Sequence, residues 1–143
     1  MGGRLLHWMD IATAIAAQRH CKRIVVTACV NNVAFERPIP MGSIVTLEAK
    51  VSRAFSSSIE VFVDVWMEDR TSGKKSHCNQ AIYTFVAVDQ LGSPIHVPEV
   101  LPESEEEKTR YDGALRRRQL SLILAGKMKP DDATELKALF VPK

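Results

Sequence analysis

Residues 2–20, GGRLLHWMDIATAIAAQRH, decide how this chain folds. From Leu5 to Ala17 nearly every position is Leu, Trp, Met, Ile or Ala, so the helix they favour carries apolar groups around most of its circumference. Such a helix is expected to be buried. Asp10 stands in its middle, and a carboxylate in apolar surroundings carries a desolvation cost that a partner or a raised pKa must meet. That makes Asp10 the first functional candidate. Two structural readings stand beside it: Asp10 faces a wet crevice, or it is satisfied by His7 three positions before and Thr13 three positions after.

At the start of the helix, Gly2 and Gly3 can bring backbone amides close to another group. Arg19, His20, Lys22 and Arg23 place positive charge at its C-terminal end, where the dipole favours it, and the helix should stop near His20 or Cys21. Residues 23–35, RIVVTACVNNVAF, are dense in β-branched residues and closed by ERPIPMG, whose two prolines and glycine end the pairing. Residues 43–53 alternate, with Val45, Leu47, Ala49 and Val51 on one face. Residues 57–68 repeat the pattern with Ile59, Val61, Val63, Val65 and Met67 inward. Phe62 and Trp66 break its polar side and predict a second covered surface, a contact between subunits. A fourth strand over 76–89 ends in the apolar AIYTFVAV and should lie centrally. Ser104 to Glu107 forms a capping box that opens a helix toward Leu124, and a short helix over 131–140 is expected in the tail. A buried helix followed by antiparallel strands is an α+β arrangement, with one domain over residues 1–126 and a tail over 127–143.

Composition excludes more than it assigns. The chain has 143 residues, 45% hydrophobic and 25% charged, with a formal net charge of +2, which gives no reason to invoke nucleic acid. Arg116, Arg117 and Arg118 have no aromatic interleaved and read as a solvated face. Three cysteines without CxxC spacing suggest neither a disulfide framework nor a metal site and fit a reducing cytoplasm. The opening apolar run is too short for a bilayer and is broken by His7 and Asp10, so neither an export signal nor a membrane span is expected.

Five strings, GGRLLHWMDIATAIAAQRH, VVTACVNNVAFERPIPMG, SSSIEVFVDV, AIYTFVAVD and PIHVPEVLPESEEEKTRY, resemble in order and spacing the hotdog-fold acyl-CoA thioesterases of the acyl-CoA hydrolase family. The resemblance runs from Gly2 to about Tyr111. It implies an antiparallel sheet wrapped around the central helix, and a homo-oligomer, a dimer or a trimer of dimers. It implies an acyl-CoA substrate, with coenzyme A part of that substrate and no separate cofactor. The family's catalytic carboxylate falls on Asp10, and coenzyme A contacts fall on Ser56, Ser57 and Ser58, with Arg37 a further candidate. Without the resemblance these are a polar hairpin turn and a surface turn. The family usually carries a first strand and an asparagine-containing loop before the paired glycines, has an acid where this chain has Asn31, and offers no evident counterpart to residues 130–143.

Thioester hydrolysis needs an attacking oxygen, a base or nucleophile, and donors for the developing oxyanion. Asp10 can deprotonate water, or attack the carbonyl to form a mixed anhydride that water opens. Gly3 and Asp10 lie roughly 10 Å apart along one helix, so if an amide of Gly2 or Gly3 is the oxyanion donor it should come from a partner subunit. His7 could tune Asp10. The competing classes are a non-catalytic acyl-CoA or nucleotide-binding module, and a hydratase or dehydratase, which would need an aspartate and histidine paired across a loop.

Overall fold

A computed structural model describes residues 2–140. The chain divides into two compact units, residues 1–100 and 101–143.

The first unit holds one helix and four strands: α1 (Gly2–Cys21), β1 (Ile24–Phe35), β2 (Ile44–Ala54), β3 (Ser58–Glu68) and β4 (Lys75–Val88). All pairings are antiparallel, in the order β1-β4-β3-β2, so β4 is internal as its apolarity suggested and β1 is an edge. One face of the sheet carries the core. Ile59, Val61, Val63 and Val65 of β3 and Ala81, Tyr83, Phe85 and Ala87 of β4 meet Leu5, Met9, Ala17 and Cys21 of α1. The expected alternation of β2 holds, with Val45, Leu47, Ala49 and Val51 packed on that cluster.

Two expectations for this first unit are corrected. The first is the buried helix. Among the described residues of α1 only the four-residue repeat Leu5, Met9, Thr13, Ala17, Cys21 is buried, whereas Leu6, Trp8, Ile11 and Ile15 are 36–49% exposed. A single four-stranded sheet covers one side of a helix, and the remaining apolar positions are left open in one chain. The second concerns Phe62 and Trp66. Phe62 is 6% exposed within this chain, alongside Ser58, Glu60 and Asp64, and Trp66 is half-buried with its ring edge-on to His77 at 4.9 Å. That face needs no second subunit to cover it. Apolar groups without cover stand on α1 and on the edge strand, at Ile24, Val26 and Val30, and also in the connections, at Met41 and Leu91.

In the second unit, α2 (Glu105–Leu124) begins at the expected capping box. Ser104 Oγ accepts from Glu107 N–H at 3.1 Å, and Glu107 Oε2 accepts from Glu103 N–H at 2.9 Å, so the return bond goes one residue further out than Ser104. The single helix expected over 131–140 is instead a 3₁₀ turn (Pro130–Asp132) and one turn of α3 (Thr134–Lys137). Gln119 Oε1 on α2 accepts from Leu136 N–H at 3.0 Å and ties the two together.

Candidate active site

α1 packs across the face of the sheet, where the phenol of Tyr83 on β4 donates to the Leu6 carbonyl at 3.4 Å. Asp10 lies one turn further on. Its register turns it toward β1, and Thr27 Oγ1 donates to Asp10 Oδ1 at 3.4 Å, a long and weak contact. Tyr83 is close enough to feel the carboxylate: burial pushes its phenol pKa up, and the negative charge of Asp10 adds to the shift. Asp10, Thr27 and Tyr83 therefore form one group, drawn from α1, β1 and β4.

The structural alternatives for Asp10 divide. Thr13 does not satisfy the carboxylate, because its hydroxyl donates to the main-chain carbonyls of Met9 at 2.7 Å and Asp10 at 3.0 Å. His7 is exposed and makes no hydrogen bond to Asp10 among the described residues. Asp10 itself is exposed, so the chain alone does not supply the desolvation that the helix composition suggested. Its surroundings become dry only if the open apolar groups on α1 and β1 are covered.

The other expected site residues are spread along the sheet. α1 starts at Gly2, and a side chain at Gly3 would meet nothing within 4 Å, so the first turn of the helix opens to its surroundings. The serine segment is held as a rigid turn at the head of β3: Phe55 N–H donates to the Ser58 carbonyl at 2.8 Å, Ala87 N–H to Ser57 at 3.0 Å, and Val97 N–H to Ser56 at 2.9 Å. Ser58 is buried, whereas the hydroxyls of Ser56 and Ser57 have no hydrogen-bond partner among the described residues. Arg37 lies exposed just beyond the other end of β1. There burial raises the Cys78 thiol pKa while the Arg37 charge acts in the opposite sense. One chain therefore places Arg37 and the serine turn at opposite ends of the sheet, because Phe35 pairs with Asn79 and Ile24 with Val88. Among the described residues no group of three or more His, Cys, Asp or Glu side chains could hold a metal, and no helix is long and apolar enough to cross a membrane.

The sequence reading missed Thr27 and Tyr83. Tyr83 carried a signal, because it shares the inward alternation of Ala81, Phe85 and Ala87. Thr27 carried none, since only helix-on-strand packing decides which strand residue faces Asp10.

A long helix laid on one face of an antiparallel sheet is the hotdog arrangement of the thioesterases. Residues 1–74 match the family described as the Thioesterase superfamily. The chain is 40% identical over 116 residues to a protein named "Uncharacterized acyl-CoA thioester hydrolase YkhA" of Bacillus subtilis, covering 81% of this chain and 67% of that one. It is 39% identical over 127 residues to mouse "Acyl-coenzyme A thioesterase 11", covering 89% of this chain and 21% of that longer protein. An acyl-CoA hydrolase from Staphylococcus aureus in complex with butyryl coenzyme A, coenzyme A and coenzyme A disulfide superposes with a TM-score of 0.81 and 38% identity, covering 89% of this chain and 79% of that one. The S. aureus enzyme was also solved as variants with an aspartate or a threonine replaced by alanine, two residues separated by the same interval as Asp10 and Thr27 here. An acyl-CoA hydrolase from Bacillus cereus superposes with a TM-score of 0.85 and 31% identity, covering all of this chain and 84% of that one. A structure described as an apo-hexameric acyl-CoA thioesterase matches with a TM-score of 0.84 and 34% identity over 87% of this chain and 80% of that one. The chain belongs to the thioesterase superfamily.

Proposed function

We propose that this chain hydrolyses acyl-CoA, giving the free acid and coenzyme A, with Asp10 as general base or nucleophile. The observation that carries the reading is the Asp10 carboxylate, within 3.4 Å of the Thr27 hydroxyl and near Tyr83, next to an apolar surface that has no cover in one chain. As base, Asp10 takes a proton from water while the water oxygen bonds to the thioester carbon. The oxyanion then collapses, the C–S bond breaks, and the thiolate of coenzyme A leaves and takes up a proton. As nucleophile, Asp10 displaces the thiolate itself and water opens the anhydride. No metal or separate cofactor is required by either route.

The active form is a homo-oligomer, a dimer or a trimer of dimers. Ile24, Val26 and Val30 on an edge strand, and Leu6, Trp8, Ile11 and Ile15 on α1, are the groups a second copy would cover. Antiparallel pairing of two β1 edges brings the Arg37 end of one chain beside the Ile24 end of the other. The partner's Arg37 then stands near the serine turn, which reunites two coenzyme A contacts that one chain keeps apart. The same operation offers the helix-start amides of Gly2 and Gly3 as oxyanion donors across the interface. The reaction is placed in the cytoplasm, in keeping with three free cysteines. A binding module that holds acyl-CoA without turnover is the alternative; a carboxylate that loses its water when a second copy covers α1 argues against it, because a pure binder gains nothing from that cost. Acyl-CoAs of graded length, assayed for free thiol release, test the proposal: turnover supports it, and tight binding with no thiol released returns the chain to a binding role.

A further inference from the structure

At the end of the sheet that carries the serine turn, a cavity of about 430 Å³ opens between the C-terminus of α1 and the last residues of β4. Gln18, Lys22, Arg23, Ile24, Val88, Asp89 and Gln90 line it. Resting on the acyl-CoA reading, we propose that Lys22 and Arg23 form a phosphate-binding site in this cavity, which takes the nucleotide end of coenzyme A.

Two observations support a ligand here beyond the ordinary preference for cations at a helix C-terminus. Lys22 is the sole non-glycine residue with positive φ among the described residues, at 60°. Its N–H donates to the Gln18 carbonyl at 2.8 Å, which closes α1 in the cap that glycine forms without strain. A lysine in this position holds its stem in a conformation that L residues avoid, and strain of this kind concentrates at binding sites. The position also aims the side chain from a fixed backbone. Arg23 follows at once, with its own carbonyl accepting from the buried Cys21 thiol at 3.6 Å. Neither cation has an ion-pair partner among the described residues.

The carboxylate in the cavity is outnumbered by the two cations and makes no ion pair with either among the described residues. Asp89 Oδ1 accepts from Leu91 N–H and Ser93 N–H, both at 2.9 Å, and so closes its own turn. The Gln18 and Gln90 amides add neutral donors. Register completes the placement: Ile24 pairs with Val88 on one side of β4, and Ser58 pairs with Val86 on the other. The two cations and the serine turn thus flank the end of one strand, two strand spacings or roughly 10 Å apart. A nucleotide bearing phosphates on both sides of its ribose bridges such a gap, with the ammonium and guanidinium on one group and the Ser56 and Ser57 hydroxyls on the other.

The test uses the oligomeric protein with acyl-CoA and with acyl-pantetheine, which has the same thioester and no nucleotide. Lys22→Gly keeps the backbone conformation and removes the ammonium, and Arg23→Gln removes the second charge. Each should raise KM for acyl-CoA about fivefold with kcat kept, and leave KM for acyl-pantetheine unchanged. The acyl-CoA effect should shrink as ionic strength rises. Equal KM values for parent and variants on acyl-CoA overturn the site. If KM rises equally on both substrates, the variants have disturbed the fold and not a phosphate contact, which also overturns it. Calorimetry with inorganic phosphate separates the sources: displacement of phosphate by coenzyme A supports the proposal, and simultaneous binding of both assigns the cavity to a free anion and defeats it. A parent protein that binds coenzyme A at this cavity but releases no thiol would refute the hydrolase reading while leaving the phosphate site intact.

Discussion

Asp10 and Asn79 are the two polar side chains whose situations the fold leaves most open. Asp10 is exposed in one chain and touches Thr27 at 3.4 Å, so Asp10→Asn should leave the fold and melting temperature close to those of the parent. Loss of a positioned base or nucleophile should lower kcat by at least about two orders of magnitude. Thiol release by an assembled Asp10→Asn protein at near the parent rate would end the catalytic assignment. The same variant reports on geometry. Tyr83 holds its proton above the ordinary phenol value of 10.0 through burial and through the Asp10 charge, so Asp10→Asn should bring its ultraviolet titration midpoint down part of the way. The sign for stability follows: between the unfolded and the raised folded value the native state binds more protons, so this contribution is whole below 10.0 and is lost as pH rises from there through the raised folded value. Asn79 is 1% exposed, and its amide N and O both lack a partner among the described residues. Asn79→Leu has a similar shape and no orphaned polar atoms, and should stabilise the protein by about 1–3 kcal/mol, read as a higher melting temperature with kcat unchanged. A lower melting temperature would mean that ordered water satisfies the amide.

At the scale of the element, α2 contains an arginine folded back on its own helix. Arg117 Nη2 donates to the Arg110 carbonyl at 2.6 Å, and a Cβ at Gly113 would lie 2.5 Å from Arg117 Nη1. The absent side chain is what lets the guanidinium cross the helix surface. Gly113→Ala gains helix propensity of about 1 kcal/mol and displaces a hydrogen bond of about the same value. The change should be nearly neutral in a thermal melt, because the clash is with the mobile end of a side chain. A loss of several kcal/mol would show that Arg117 is fixed in place by more than this one contact.

For the whole molecule, the open edge of β1 and the exposed apolar groups on α1 set the expectation. Val26 and Val30 are 49% and 41% exposed, so the Val26→Lys, Val30→Lys double variant should fold with little cost in the single chain. Two charges on an edge strand oppose edge-to-edge pairing. Sedimentation should find a smaller species, and activity should fall with it if the site is shared between subunits. A monomeric variant with full activity would place the complete site within one chain.

The sequence by itself determined the elements. A run of helix formers at residues 5–17, β-branched strands with period-two alternation, and Pro and Gly at their ends fix local structure through short-range sterics, and these elements form with their ends within a residue or two of those expected. Asp10 stood out because a carboxylate in an apolar run is costly wherever that run packs. The tertiary structure alone decided which side of α1 was covered, that Phe62 was already buried, and that Thr27 and Tyr83 stand beside Asp10. It also set the serine turn and Arg37 at opposite ends of the sheet. These depend on strand order and on the rotation of a helix over a sheet, long-range packing choices that no local pattern encodes. The exposed apolar groups are the mark of that limit: their composition says that they must be covered, and only the fold shows that one chain does not cover them.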